Sequence, residues 1–102
     1  DRLSPAMEKR FLLKGNGKAF FSRSAAFALS MTGCLIVGTD AQSIAAPEDE
    51  AGPHLEFLGA GIPILEGLDL SQAEPGEYRL ICLPLFLGGA EAAPVRAVLT
   101  DL

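Results

Sequence analysis

The sequence is poor in the side chains that most often do chemistry: its 102 residues hold one histidine, His54, two cysteines, one tyrosine and no tryptophan. A single histidine excludes a histidine-rich site assembled from this chain alone. Cys34 and Cys82 lie far apart within apolar stretches, and two thiols cannot make the disulfide framework that staples small secreted domains. Buried free thiols, and with them a reducing cytoplasm, are the expectation. No apolar run approaches the roughly 18 residues that a membrane span needs, and the chain does not open on a basic segment, apolar run and cleavage site. Neither a membrane nor a secretory signal is expected. Positive charge is also scarce, with 8 Lys and Arg against 13 Asp and Glu. Polyanion binding relies on clustered cations, so nucleic acid is not an expected partner. Lys9, Arg10, Lys14, Lys18 and Arg23 gather near the start without an aromatic platform, and they read as a solvated face. The Lys14–Lys18 stretch has glycines and lysines but not the phosphate-loop spacing, and no G-x-S-x-G elbow occurs.

What is present is apolar: 49% of residues are hydrophobic and 21% charged, which argues against disorder. A core is possible but thin at this length. Residues 1–102 read as a single unit without repeat, linker or low-complexity segment. Phe11–Leu13 reads as a strand stopped by Gly15-Asn16-Gly17. From Phe20 to Thr32 the apolar residues Phe20, Phe27 and Met31, with Ala28 beside them, recur at helical intervals. Ser22 or Ser24 can cap that helix, and Gly33 stops it. Cys34–Val37 is a continuous apolar run, the pattern of a strand covered on both faces. An acidic loop, Pro47–Glu50, leads to a short helix opened by Pro53, then to a strand over Ile62–Leu65. After a loop from Ser71 to Glu77, Tyr78–Leu87 is β-rich, with Pro84 marking a bulge or an end. The loop Gly88–Pro94 leads to a last strand, Val95–Leu99. The class is α/β, a mixed sheet of about five strands with two helices.

Six of the thirteen carboxylates (Glu48, Asp49, Glu50, Glu74, Glu77, Glu91) fall in loops and need only be solvated. Asp40 just beyond an apolar strand and Glu66 inside the apolar segment Ile62–Leu70 are different. A carboxylate at a buried strand end needs a cation or a donor to offset its desolvation.

Three segments carry a resemblance: VGTDAQSI at Val37–Ile44, HLEFLGAGIPILEGLDL with His54 followed twelve residues later by Glu66, and GEYRLICLPLFLGGAEAAPVRAVL at Gly76–Leu99. Together they cover 49 of the 102 residues. In this order they resemble the C-terminal half of the cyclase family of metal-dependent hydrolases, which includes bacterial kynurenine formamidases. The resemblance implies half of a swivelling β/β/α domain. It also implies that His54 and Glu66 are metal ligands in a two-metal site binding zinc or manganese, with Asp40, Ser43 and Arg96 structural or supporting. A neutral imidazole and a carboxylate are compatible ligands for such an ion. For Arg96 an ion pair is the expected role.

The sequence departs from the family in one respect: the upstream signature H-x-G-T-H-x-D-x-P-x-H, which supplies most of the ligands, has no trace here. Two ligands hold a metal weakly, and catalytic zinc generally keeps three. The expectation is therefore part of a metal-dependent amidase that hydrolyses N-formylkynurenine or a related linear or cyclic amide through metal-activated water, in the kynurenine pathway of tryptophan catabolism. Alone it should be inactive. Its partners would be the amide substrate and a missing N-terminal half or second subunit, and a homo-oligomer is expected. A start at Asp1 instead of Met fits that view. The alternative is a non-catalytic module that keeps the family scaffold and binds a small molecule or a subunit.

Overall fold

The computed structural model describes residues 10–84 and 92–102. Lys9, the end of the expected Tyr78–Leu87 strand and the first part of the Gly88–Pro94 loop, with Glu91, lie outside the described residues.

The elements in chain order are β1 (Arg10–Leu13), α1 (Arg23–Ser30), β2 (Ile36–Thr39), a 3₁₀ turn (Pro47–Asp49), α2 (Ala51–Gly59), β3 (Ile64–Leu65), β4 (Arg79–Pro84) and β5 (Val95–Thr100). The class is α/β as expected, with parallel and antiparallel pairing. The five strands divide between two sheets: β1-β2-β3, parallel and in sequence order, and the antiparallel hairpin β4-β5. The parallel pairs are joined through α1 and α2, the crossover that parallel neighbours require.

Local signals account for the helices. Ser22 caps α1, its hydroxyl accepting from the Ala25 amide at 3.1 Å, and the helix ends before Gly33. In α2, Pro53 stands in the third position instead of opening the helix. That is tolerated because the first four amides of a helix have no internal partner for proline to remove. The strand expected at Cys34–Val37 runs two residues later, and its pairing with β1 aligns Val37 with Phe11 and Thr39 with Leu13.

The core is built from Ala26, Cys34, Val37, Ile44, Ala45, Phe57 and Ile62, with Phe21, Leu29 and Ile64 packed against it. Phe57 is fully buried, a burial that contributes roughly 1.5–3 kcal/mol. Its ring meets Phe21 edge-to-face at 5.3 Å, and Phe21 meets Phe11 at 6.2 Å, so three aromatics join α2 to β1. The stripe of Phe20, Phe27 and Met31 faces outward: Phe27 is 53% and Met31 70% exposed. The inward face of α1 belongs to the small Ala26 and to Leu29, which lets the helix lie close to α2. Gly38, in the middle strand, is a close approach of a similar kind, since a Cβ there would stand 2.6 Å from a Leu12 methyl.

Among the described residues no helix is long and apolar enough to cross a membrane.

Candidate metal centre

The loops that leave the C-terminal ends of the parallel strands lie side by side, the place where open α/β sheets put their ligands. Glu66 directly follows β3, Asp40 directly follows β2, and the Gly15–Gly17 loop comes two residues after β1. α2 brings His54 to the same edge.

His54 and Glu66 meet there. The imidazole Nε2 stands 3.0 Å from Glu66 Oε2, and the Ile44 backbone amide donates to that same oxygen at 3.0 Å. On the other side of the ring, Nδ1 lies 2.8 Å from the Glu50 carbonyl oxygen. A carbonyl can only accept, so Nδ1 carries the hydrogen. Nε2 then faces a carboxylate oxygen, and two lone pairs cannot be neighbours at 3.0 Å unless a cation lies between them. That cation is either a proton on Nε2 or a metal ion. The first possibility is visible in the histidine pKa: burial lowers it, but the Glu50 carbonyl and the Glu66 carboxylate outweigh burial and the net direction is up.

The second possibility fits the donor set. An Nδ1–H held by a backbone carbonyl, with Nε2 left free, is how metal-binding histidines are usually oriented. A nitrogen and a carboxylate oxygen 3.0 Å apart can both reach one divalent ion over bonds of about 2.0–2.2 Å. Both side chains remain accessible, at 28% and 32% exposure. Among the described residues no group of three or more His, Cys, Asp or Glu side chains converges, so His54 and Glu66 stand there as a pair.

The other residues singled out from the sequence are placed elsewhere. Asp40 turns toward the loop after β1, where its carboxylate accepts from the amides of Gly15, Asn16 and Gly17 at 3.0–3.1 Å. Asn16 and Gly17 both have positive φ, 53° and 75°, which aims these amides into one concavity. Desolvation raises the Asp40 pKa, the three amides lower it more, and the net direction is down. Ser43 accepts from the Ala45 amide at 3.2 Å, one residue from the amide that holds Glu66. Arg96 is exposed on β5 opposite Leu83, in the other sheet, and makes no ion pair among the described residues. Cys34 is buried and Cys82 half-buried, both free; burial pushes the Cys34 thiol up, away from nucleophilic use. The Glu50 carbonyl and the Ile44 amide were missed from the sequence because backbone groups leave no residue-type signal.

A cavity of about 520 Å³ lies between the parallel sheet and the hairpin, lined by Arg10, Leu12, Lys14, Tyr78, Leu80 and Leu99 among others, and contains neither His54 nor Glu66. The His54–Glu66 pair lies apart from it, held by the Glu50 carbonyl and the Ile44 amide.

The comparisons give this fold a family. A solved structure described as a potential metal-dependent hydrolase with cyclase activity superposes with a TM-score of 0.73 at 35% identity, over 78% of this chain and 40% of that one. A predicted metal-dependent hydrolase from Bacillus stearothermophilus matches equally, over 39% of its chain. In sequence the chain is 49% identical over 75 residues to the kynurenine formamidase of Salinibacter ruber, covering 72% of this chain and 35% of the relative. It is 42% identical over 81 residues to cyclase-like protein 2 of Oryza sativa subsp. japonica, covering 78% and 30%. No family model matches. The chain is homologous to the cyclase family of metal-dependent hydrolases, kynurenine formamidases included, and spans about a third of the length of the curated relatives it matches.

Proposed function

We propose that this chain carries part of a metal-dependent amide hydrolase of the kynurenine formamidase kind, with His54 and Glu66 as two ligands of a zinc or manganese ion. The observation that carries the reading is the 3.0 Å approach of His54 Nε2 to Glu66 Oε2, with Nδ1 tied to the Glu50 carbonyl. When bound, such an ion supplies polarisation of an amide carbonyl and activation of water. The chain's own residues hold the imidazole tautomer through Glu50, hold the carboxylate through Ile44, and leave both ligands open to solvent on one side.

Two ligands fall short of the three that a catalytic zinc generally keeps. The chain alone is therefore inactive in this reading, and the remaining ligands come from the rest of the family's length or from a second subunit. The substrate is N-formylkynurenine or a related linear or cyclic amide, in tryptophan catabolism in the cytoplasm, and the working form is a homo-oligomer. Asp40 and Ser43 are structural or supporting in it.

The test supplies Mn²⁺ or Zn²⁺ and N-formylkynurenine to the chain alone, and to the chain co-expressed with the remaining part of the Salinibacter ruber protein. Turnover is expected only in the combination, and it is expected to disappear with His54→Ala. Appreciable turnover by the chain alone, or a combination indifferent to His54→Ala, would overturn the assignment. The second reading, a module that binds a small molecule or subunit without catalysis, is favoured by the absence of a third converging ligand among the described residues. Tight association of the two parts without turnover would select it.

A further inference from the structure

We infer that Ser43 is a positioning residue for Glu66: its hydroxyl accepts the Ala45 amide, and the turn so closed aims the Ile44 amide at Glu66 Oε2. The inference rests on the reading of Glu66 as a metal ligand, and it concerns how that carboxylate is held.

Residues 43–45 are clamped from several directions. Ser43 Oγ accepts from the Ala45 amide at 3.2 Å, an i to i+2 bond that fixes the turn locally. The Ile44 side chain is fully buried, Ala45 is 1% exposed, and the Ile44 carbonyl accepts from the Phe21 amide at 3.0 Å. Phe21 and Ala45 also form a parallel bridge. With its side chain in the core and its carbonyl engaged by Phe21, Ile44 has one group left, its amide, and that amide donates to Glu66 Oε2 at 3.0 Å. It is the only backbone donor to this carboxylate among the described residues. Removing the Ser43 hydroxyl leaves the buried Ala45 amide without its acceptor. The turn then relaxes about the Ser43–Ile44 peptide, the peptide whose N–H holds Glu66. Glu66 would keep its charge and its contact with His54 while losing the donor that orients it.

The full chain, labelled with ¹⁵N, permits the test with Mn²⁺ as the probe. Paramagnetic broadening of the His54 ring resonances reads occupancy of the pair even when binding is weak. Ser43→Ala is expected to raise the Mn²⁺ concentration for half-broadening about tenfold, the lower end of what losing a supporting group costs a metal site. Ser43→Thr keeps the hydroxyl and is expected to stay at the wild-type value. Thr32→Ala deletes a hydroxyl that only donates to the Leu29 carbonyl after α1, and it is expected to leave the titration unchanged.

In the metal-free chain, Ser43→Ala is expected to speed exchange of the Ile44 amide while the Val37 amide keeps its protection. A Ser43→Ala chain with the wild-type Mn²⁺ titration, or with wild-type protection of Ile44, overturns the inference even if its melting temperature falls. If Ser43→Ala does not fold, Ser43→Asn replaces it, because an asparagine carbonyl can take over the Ala45 amide in an Asx turn. It must then match wild type in both measurements. Should the wild-type His54 resonances ignore Mn²⁺, the metal reading falls, and the exchange rate of Ile44 still decides the role of Ser43.

Discussion

The parallel sheet buries Val37 and Thr39 on its middle strand and takes Ala26 and Phe57 from the helices laid against it, whereas no residue described in the β4-β5 hairpin is buried. The hairpin alternates cleanly all the same. Leu80, Cys82, Ala97 and Leu99 are half-buried on the face toward the sheet, and Ile81, Leu83 and Val98 are exposed on the other, at 42%, 62% and 42%. An apolar outer face on a two-stranded ribbon is the composition of a strand pair meant to be covered on both sides. A two-stranded ribbon has little stability of its own. The difference teaches that one region supplies its own packing and positions the His54–Glu66 pair, while the other shows the composition of an interior element without the interior.

Phe57→Ala should cost about 3–5 kcal/mol, the range for emptying a fully buried aromatic site, and urea unfolding would measure it. The comparison between the two regions breaks if Ile81→Ala on the hairpin costs as much. Gly38→Ala is the next largest. The added Cβ would sit 2.6 Å from a Leu12 methyl and 3.0 Å from a Leu68 methyl. Both are ends of flexible side chains, so about 1–3 kcal/mol is expected, visible in the same urea curves. A neutral result would mean that the sheet is packed more loosely than its burial implies. Ile81→Ser and Leu83→Lys, on the exposed face of the hairpin, should change stability within about 0.5 kcal/mol and improve solubility. A loss above about 2 kcal/mol, well outside that surface range, would show that something covers this face in solution.

The smallest effect is one of acidity. The folded-state pKa of Asp40 lies below the ordinary 3.8, so its contribution to stability is fully present above that value and is lost as pH falls through the folded pKa. Urea midpoints followed downward from pH 5 should decline more steeply for the wild type than for Asp40→Asn, and equal slopes would remove Asp40 from the account of the loop.

Much of the local structure was legible in the sequence because its causes are local. Ser22 caps, Gly33 follows a helix end, and Val37 marks a strand covered on both faces. The face of α1 was not legible. Phe27 and Met31 outrank Ala26 in hydrophobicity, but close packing against α2 favours the small residue, and nothing in a single helix reports what it packs against. Asp40 was correctly marked as a carboxylate in need of donors, yet the donors sit 23 to 25 residues upstream and become neighbours only through the pairing of β1 with β2. The nearness of His54 to Glu66 came from family resemblance, since a spacing of twelve residues has no helical or strand meaning.

The chain distances within the site have a further consequence. His54 reaches Glu50 across 4 positions, Glu66 across 12, and Ile44 reaches Glu66 across 22, whereas Lys14 must span 59 to tie the end of β1 to Ala73 beside the hairpin. The entropy of closing a loop grows with the logarithm of its length, so the short closures around the pair persist after the longest one has opened. In mild denaturant the Ile44 amide should still resist exchange when the hairpin amides have lost protection, and the order of those losses can be read by hydrogen exchange. The His54–Glu66 pair then belongs to the last part of the molecule to come apart, and its geometry outlasts fraying of the C-terminal ribbon.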